Sequence, residues 1–365
     1  MRAGFAVALS LVCGTLVFAQ KKGDQKPDAA TSQQQAQNQE ISTVMQAADA
    51  AMATPPASSD IPIQVQTDFL KAMQGRIWVP LTLTIDPTKV QPGPVTLYVR
   101  VAPRGMATPA PPTAPVPDPA AAKDSKKKPD KNDKSKDKNA APAPAAPSYP
   151  YEDVTFMELK PPAAGMPFRI QRGIGVPSGS YDLYVVLHDR ASGGKLGVLR
   201  QPLEVPNYST GELMTSSIIL AQHVNQLTAP VPTDQQSEHP YAFGQTEIEA
   251  SSDRKFKKSD ELIVLFQIYN ANVTAEKKFS LEATYTFYKQ DAGGEKRFNS
   301  TEPQPLNNDT MPPGFDPTSG SSSIQAGQGI PLQSFGDGNY RLEIKITDKQ
   351  NGKVLTQSTT FTVAP

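Results

Sequence analysis

Cysteine is nearly absent from this chain of 365 residues, and Cys13 is the only one. It lies in the first twenty residues, so a chain that loses this stretch can form no disulfide and no thiolate metal site. An exported chain without disulfides must hold its domains together by core burial alone. We therefore expect domains of ordinary size.

Histidine is also scarce, with only His188, His223 and His239. No two of them have the spacing of metal ligands on a helix, and the chain has no Gly-x-Ser-x-Gly nucleophile motif. Asp309 and Asp316 offer oxygen ligands, but a calcium site needs more closely clustered carboxylates. The sequence therefore predicts a non-enzymatic protein with no catalytic residues, no cofactor and no metal.

The charges balance at 36 basic and 36 acidic residues. No global excess of positive charge attracts nucleic acid, so we expect no nucleic-acid partner. A protein or a cell-envelope component is the expected partner class. The sequence leaves the partner's identity and the oligomeric state open.

Residues 1–19 have the pattern of a secretory signal peptide. Arg2 supplies the positive charge, residues 3–18 are almost wholly apolar, and cleavage is expected before Gln20. The apolar run is short for a membrane span, although a retained anchor is the alternative. We expect a periplasmic or extracellular protein with no stable membrane span after cleavage.

Residues 20–60 are polar and rich in glutamine and alanine, which predicts a disordered leader with room for a short helix. Ile41, Met45, Ala48 and Met52 form a narrow apolar stripe at helical spacing. Such a helix either docks on a neighbouring surface or stays in solvent. We favour the solvated helix.

From residue 61 the apolar residues alternate with polar ones, which is typical of β-strands. We predict an all-β protein of two tandem Ig-like sandwiches, over residues 61–207 and 208–365, with a connector strand opening the second. Residues 104–150 interrupt the first sandwich as a low-complexity insertion between two strands, predicted to be disordered.

The insertion carries eight lysines and four aspartates between residues 123 and 138. A flexible basic segment can bind anionic polymers in a salt-sensitive manner. The competing hypothesis, which we favour, is a solvated loop without a binding role. The candidate contacts with a polyanion are Lys126, Lys127, Lys128, Lys131 and Lys134.

Two stretches of the chain repeat the same pattern. GSYDLYVVLHD at 179–189 matches GNYRLEIKITD at 338–348 in its Gly, Tyr, Leu and Asp positions. The preceding strands follow in the same order, which indicates an internal duplication. The Gly-x-Tyr-x-Leu start is typical of the tyrosine corner of Ig-like sandwiches.

The stretches MTSSIILA and FGQTEIEASSDRKFKKSDELIVLFQIYN, followed by GNYRLEIKITDKQNGK, resemble the Ig-like region of the bacterial secreted proteins named for a GWxTD motif. The resemblance covers residues 212–365, and the GWxTD sequence itself does not occur. It implies an exported bacterial protein with Ig-like modules and no defined activity.

The repeated strands differ on their outer faces. The second presents Arg341, Glu343, Lys345 and Thr347, whereas the first presents the candidate partner-facing residues Tyr184, Val186 and His188, after Asp182. These are either ordinary exposed strand residues or a partner-facing or domain-facing surface. We expect a binding or scaffolding protein, with a carbohydrate-binding or envelope-assembly accessory role as the alternative.

Overall fold

The computed structural model confirms an all-β fold, with one α-helix among the residues that it describes. These are residues 29–54, 56, 59–106, 148–163, 165–191, 193–319 and 323–365. The described residues from 42 onwards form one compact unit, and residues 29–41 belong to a separate one. The helix, α1, spans Ala29–Ala53 and is therefore longer than the short helix that the sequence suggested.

Eight strands build the first sandwich: β1 (Ile63–Thr67), β2 (Leu70–Lys71), β3 (Arg76–Ile85), β4 (Gly93–Pro103), β5 (Tyr151–Leu159), β6 (Phe168–Pro177), β7 (Gly179–Asp189) and β8 (Lys195–Val205). One sheet has β3 at its centre, with β1 and β2 on one side and β6 on the other. The other sheet has the order β5–β4–β7–β8.

The remaining strands build the second sandwich: β9 (Met214–Thr215), β10 (Ile219–Gln226), β11 (Ala242–Phe243), β12 (Thr246–Ala250), β13 (Lys255–Lys257), β14 (Glu261–Tyr269), β15 (Ser280–Asp291), β16 (Gly294–Ser300), β17 (Gln304–Asn307), β18 (Ile324–Pro331), β19 (Gly338–Asp348) and β20 (Val354–Ala364). One sheet has the order β11–β12–β10–β14–β18, and the other has the order β13–β20–β19–β15–β16. The short strands β9 and β17 pair with β14 and β15.

The two sandwiches repeat one strand order. The order β1–β3–β6 corresponds to β10–β14–β18, and the order β5–β4–β7–β8 corresponds to β16–β15–β19–β20. The matching stretches 179–189 and 338–348 become β7 and β19, the same strand of each sandwich. This agreement is what the internal duplication predicts.

Alternating apolar residues of the facing sheets form two separate cores. Leu183 and Leu342 lie at equivalent positions of β7 and β19 and are fully buried. Leucine thus fills the position that a cysteine occupies in disulfide-bonded Ig domains. The cores supply by burial what the chain lacks in disulfides.

Residues 104–150 join β4 to β5, which are antiparallel neighbours. Val101 lies opposite Tyr151, and β4 continues for two more residues to Pro103. The insertion therefore connects two neighbouring strands of one sheet.

Two parts of the first sandwich take a backbone conformation that their local sequence does not specify. Gly173 and Gly175 lie inside β6, although glycine is common in turns. Leu70–Lys71 forms the short strand β2, and a single 3-10 turn follows at Met73–Gly75. In both places tertiary pairing with β3 decides the backbone conformation.

The tyrosine corners predicted from the repeat are present in both sandwiches. The Tyr340 hydroxyl donates to the Gly336 carbonyl at 2.8 Å, and the Tyr181 hydroxyl donates to the Ser178 carbonyl at 3.4 Å. Tyr340 is fully buried. The corner of the second sandwich therefore has the better hydrogen bond.

We expect Tyr340→Phe to lower the free energy of unfolding by about 1 kcal/mol, the usual net contribution of one hydrogen bond. Tyr181→Phe should cost less because its hydrogen bond is longer. Urea unfolding of each variant and the parent chain, followed by circular dichroism, measures the difference. A larger loss in Tyr181→Phe would contradict this ranking.

Candidate functional site

The outer face of the sheet β5–β4–β7–β8 carries the candidate partner-facing residues. Tyr184, Val186 and His188 alternate along β7 and therefore share this face. Tyr184 lies opposite Arg100 of β4, and Val186 lies opposite Tyr98. Tyr184 is 3% exposed and Val186 is 0% exposed, so this part of the face is covered.

The second half of α1 provides the cover. Its buried apolar side chains lie at helical spacing on one face: Val44, Ala48, Ala51 and Met52. They pack against Tyr98, Tyr184 and Val186 in two adjoining apolar clusters. The sheet face that we considered as a partner surface is thus occupied by the chain's own helix.

Our preference for a solvated helix was therefore wrong for residues 42–53. The predicted stripe is also rotated, because Val44 is fully buried whereas Met45 is only partly buried. Isolated helices of this composition are marginal in water, and tertiary packing of one face supplies most of the stability. The helix sequence alone does not show which surface provides that packing.

Arg100 anchors the helix to the sheet at the centre of this face. Its side chain is only 2% exposed, and its guanidinium group lies 2.5 Å from Asp49 of α1 and 3.0 Å from Glu152 of β5. The Tyr149 ring lies 4.3 Å from the guanidinium carbon, in cation–π geometry. The hydrogen bond to Asp49 helps to raise the pKa of Arg100 against the opposing effect of burial.

Arg200 of β8 binds the carboxyl end of the helix. Its guanidinium group donates to the carbonyls of Ala51 and Met52, each at 3.3 Å, and pairs with Asp182 of β7 at 2.7 Å. A cation at a helix C-terminus is favourable because the last carbonyls carry partial negative charge. Asp182 therefore holds Arg200 in position to cap α1.

His188 lies further along β7, beside Thr96 of β4. Its ring is partly buried, and its Nδ1 atom is buried without a hydrogen-bond partner among the described residues. His188 is thus less buried than Tyr184 and Val186, although all three share one face.

The other predicted elements of function lie outside the described residues. This applies to the signal segment at residues 1–19 and to Lys126, Lys127, Lys128, Lys131 and Lys134. Among the described residues, no helix is long and apolar enough to cross a membrane.

A second feature, which the sequence analysis missed, is the joint between the two sandwiches. Phe69 lies between β1 and β2, which both pair with β3 at one edge of the first sheet. The Phe69 amide donates to the Ser217 hydroxyl at 2.9 Å, and the Ser217 amide donates to the Phe69 carbonyl at 3.0 Å. The Tyr269 hydroxyl of β14 accepts from the Lys71 amide at 2.9 Å. The Tyr208 hydroxyl donates to the Phe69 carbonyl at 3.1 Å.

The loop before β11 fastens the joint from the other side. Trp78 of β3 donates to the Pro240 carbonyl at 2.8 Å, and the Gly173 amide of β6 donates to the Ser237 carbonyl at 2.7 Å. A side chain at Gly173 would overlap the Trp78 ring, so this glycine makes room for the indole. In the sequence, two residues could have indicated this contact: the only tryptophan, Trp78, and Gly173, a glycine inside a strand.

Asp68 and Tyr241 form the buried polar centre of the joint. The Tyr241 hydroxyl donates to Asp68 Oδ2 at 2.6 Å, and both side chains are almost fully buried. Leu70, Ile219 and Ala250 pack with Tyr241 in an apolar cluster. Burial raises the pKa of Asp68 above its ordinary value.

Acidic side chains elsewhere are used in local contacts. Asp316 accepts a hydrogen bond from Lys277 at 2.7 Å. This bond and the hydrogen bonds from Thr318 lower the pKa of Asp316 to about 2. Within the described ranges, no group of three or more His, Cys, Asp or Glu side chains is placed to hold a metal ion. Asp316 thus forms a surface ion pair with Lys277, and its carboxylate also orders its own loop through Thr318.

We expect Ala48→Asp to release residues 42–53 from the sheet, because it places a carboxylate at a fully buried position. Amide hydrogen exchange of this helical segment should accelerate about tenfold or more. Ala50→Asp is the matched control, since Ala50 lies on the exposed side of the same helix. Equal exchange in both variants would contradict the docking.

We expect Asp68→Asn to stabilise the chain at neutral pH relative to the parent. The raised pKa means that the parent loses stability as pH rises from the ordinary value of 3.8 through the pKa of the folded state. The advantage of Asp68→Asn should therefore shrink as pH falls through that range. Urea unfolding at a series of pH values measures it, and a constant difference would contradict the burial of a titrating carboxyl.

A scan against protein-family models found no match for this chain, and a search of curated proteins found none either. The relationship to the GWxTD-motif proteins stays a prediction from the sequence.

Proposed function

We propose that this chain is an exported, non-enzymatic binding or scaffolding protein built from two Ig-like modules. The joint between the sandwiches is the observation that carries the proposal. Asp68 accepts a buried hydrogen bond from Tyr241, Trp78 donates to Pro240, and Tyr269 accepts from Lys71, and these bonds hold the modules in one arrangement. A fixed arrangement of two modules presents edges and loops to a partner at set positions.

The use of the buried charges supports the same proposal. Arg100 binds Asp49 of the helix, and Asp182 binds Arg200, which caps the helix. Asp348 accepts hydrogen bonds from the backbone amides of Asn272 and Gln350. Asp68 is bound to Tyr241 in the joint. Each of these groups has a structural role, which is the expected use of charge in a scaffold.

The carbohydrate-binding alternative has less support. Among the described residues, the exposed aromatic side chains are Phe156 of β5 and Phe298 of β16. They lie on different sandwiches, so they do not combine into the stacking platform that a sugar ring would need. An envelope-assembly accessory role is the other alternative, and it is compatible with the joint.

Export to the periplasm or the cell exterior is part of the proposal, and the signal-peptide pattern of residues 1–19 supports it. A protein or an envelope component is the proposed partner. The lysine-rich insertion is proposed as a solvated loop, and its contribution can be separated from that of the sandwiches by experiment.

The test is affinity capture from exported fractions with residues 20–365 as bait, at low and moderate salt. A second bait replaces Lys126, Lys127, Lys128, Lys131 and Lys134 by glutamine. Every captured protein is then purified and titrated against both baits. We expect one protein to bind both baits with the same affinity at both salt concentrations.

Binding that disappears in the glutamine bait or at moderate salt would overturn the solvated-loop proposal and make the lysines the contact. Failure of every purified candidate to bind directly would overturn the binding role. Glycan binding would favour the alternative.

A further inference from the structure

The strand β18 is the edge strand of its sheet, and its outer side pairs with no strand among the described residues. The Leu332 amide donates to the Asp260 carbonyl, and β18 pairs with β14 in the same register. Backbone groups of alternate residues in an antiparallel strand point to opposite sides. The amide and carbonyl groups of Gln325, Gly327 and Gly329 therefore point away from β14.

The equivalent edge of the first sandwich makes one backbone hydrogen bond to a loop. Gly173 of β6 lies opposite Pro80 of β3, just as Gly329 lies opposite Ile263 of β14. The Gly173 amide donates to the Ser237 carbonyl at 2.7 Å. An outward amide at this position of the edge thus binds another backbone in the first sandwich.

Among the described residues, no strand and no backbone hydrogen bond covers the matching edge of β18. Gln325, Gly327 and Gly329 are exposed, and two of them have no side chain to obstruct a second backbone. The edge has neither lysine nor a bulge, which are common protections against strand pairing. Its backbone is therefore open to an added strand.

Two side chains of β14 near this edge indicate which added strand the edge would bind. The Leu265 side chain of β14 lies against Gly327, where an added side chain would collide with it. Further along the edge, the Glu261 side chain lies against Gly329, where an added side chain would collide with its carboxylate. The edge therefore suits a segment with an apolar side chain and a basic end.

We propose that the outer edge of β18 binds an extended segment of a partner protein as an added β-strand. The backbone of the segment pairs with Gln325, Gly327 and Gly329, an apolar side chain contacts Leu265 across Gly327, and a basic side chain contacts Glu261. This inference rests on the proposed binding function for its role. The peptide experiment below tests the edge independently of any captured partner.

The probe is an eight-residue peptide of alternating threonine and valine with lysine at both ends, titrated into the full chain. Backbone amide NMR shifts report the site, and the amides of Gln325, Gly327 and Gly329 should respond most. Gln325→Pro removes one outward amide and keeps the β14 ladder, so binding should weaken about fivefold. Gln325→Ala, which keeps that amide, is the matched control.

A second peptide carries glutamate at both ends and should bind more weakly to the parent chain. Glu261→Gln should remove this preference for lysine. No binding of the lysine peptide, shifts centred on another strand, or equal affinity in Gln325→Pro and Gln325→Ala would overturn the proposal. Self-association of the chain through β18 without peptide would assign the edge to a second copy and also overturn it.

Discussion

An apolar outer sheet face in the first sandwich is the constraint on which the arrangement of the leader depends. Tyr184 and Val186 occupy the positions at which the second sandwich has Glu343 and Lys345. The charged face of the second sandwich stays partly exposed, with Arg341 paired to Glu295. The apolar face must be covered, and α1 covers it.

The strand pattern was readable from the sequence because alternation records which side of each strand is buried. The repeat at 179–189 and 338–348 likewise gave the equivalent strands β7 and β19. The docking of α1 was not readable, because its stripe is narrow and the matching surface lies on strands about fifty to one hundred and fifty residues away. The apolar stripe of the helix and the apolar face of the sheet indicate an interface only when both are considered together.

The joint was missed for a different physical reason. It depends on single atoms of isolated residues, such as the Trp78 indole nitrogen and the Gly173 amide, and not on a periodic pattern. Glycine is common in turns, so local sequence reasoning does not indicate a role for Gly173 inside a strand. In the structure this glycine is needed because the indole of Trp78 lies against its backbone.

The insertion between β4 and β5 has a consequence for how this protein can vary. Its two ends are held side by side, with Val101 opposite Tyr151. Neighbouring strands are only about 5 Å apart, so the insertion spans almost no distance whatever its length. The hairpin is therefore a natural fusion point, where a chain can gain, lose or exchange an entire segment while the sheet beneath it keeps its register.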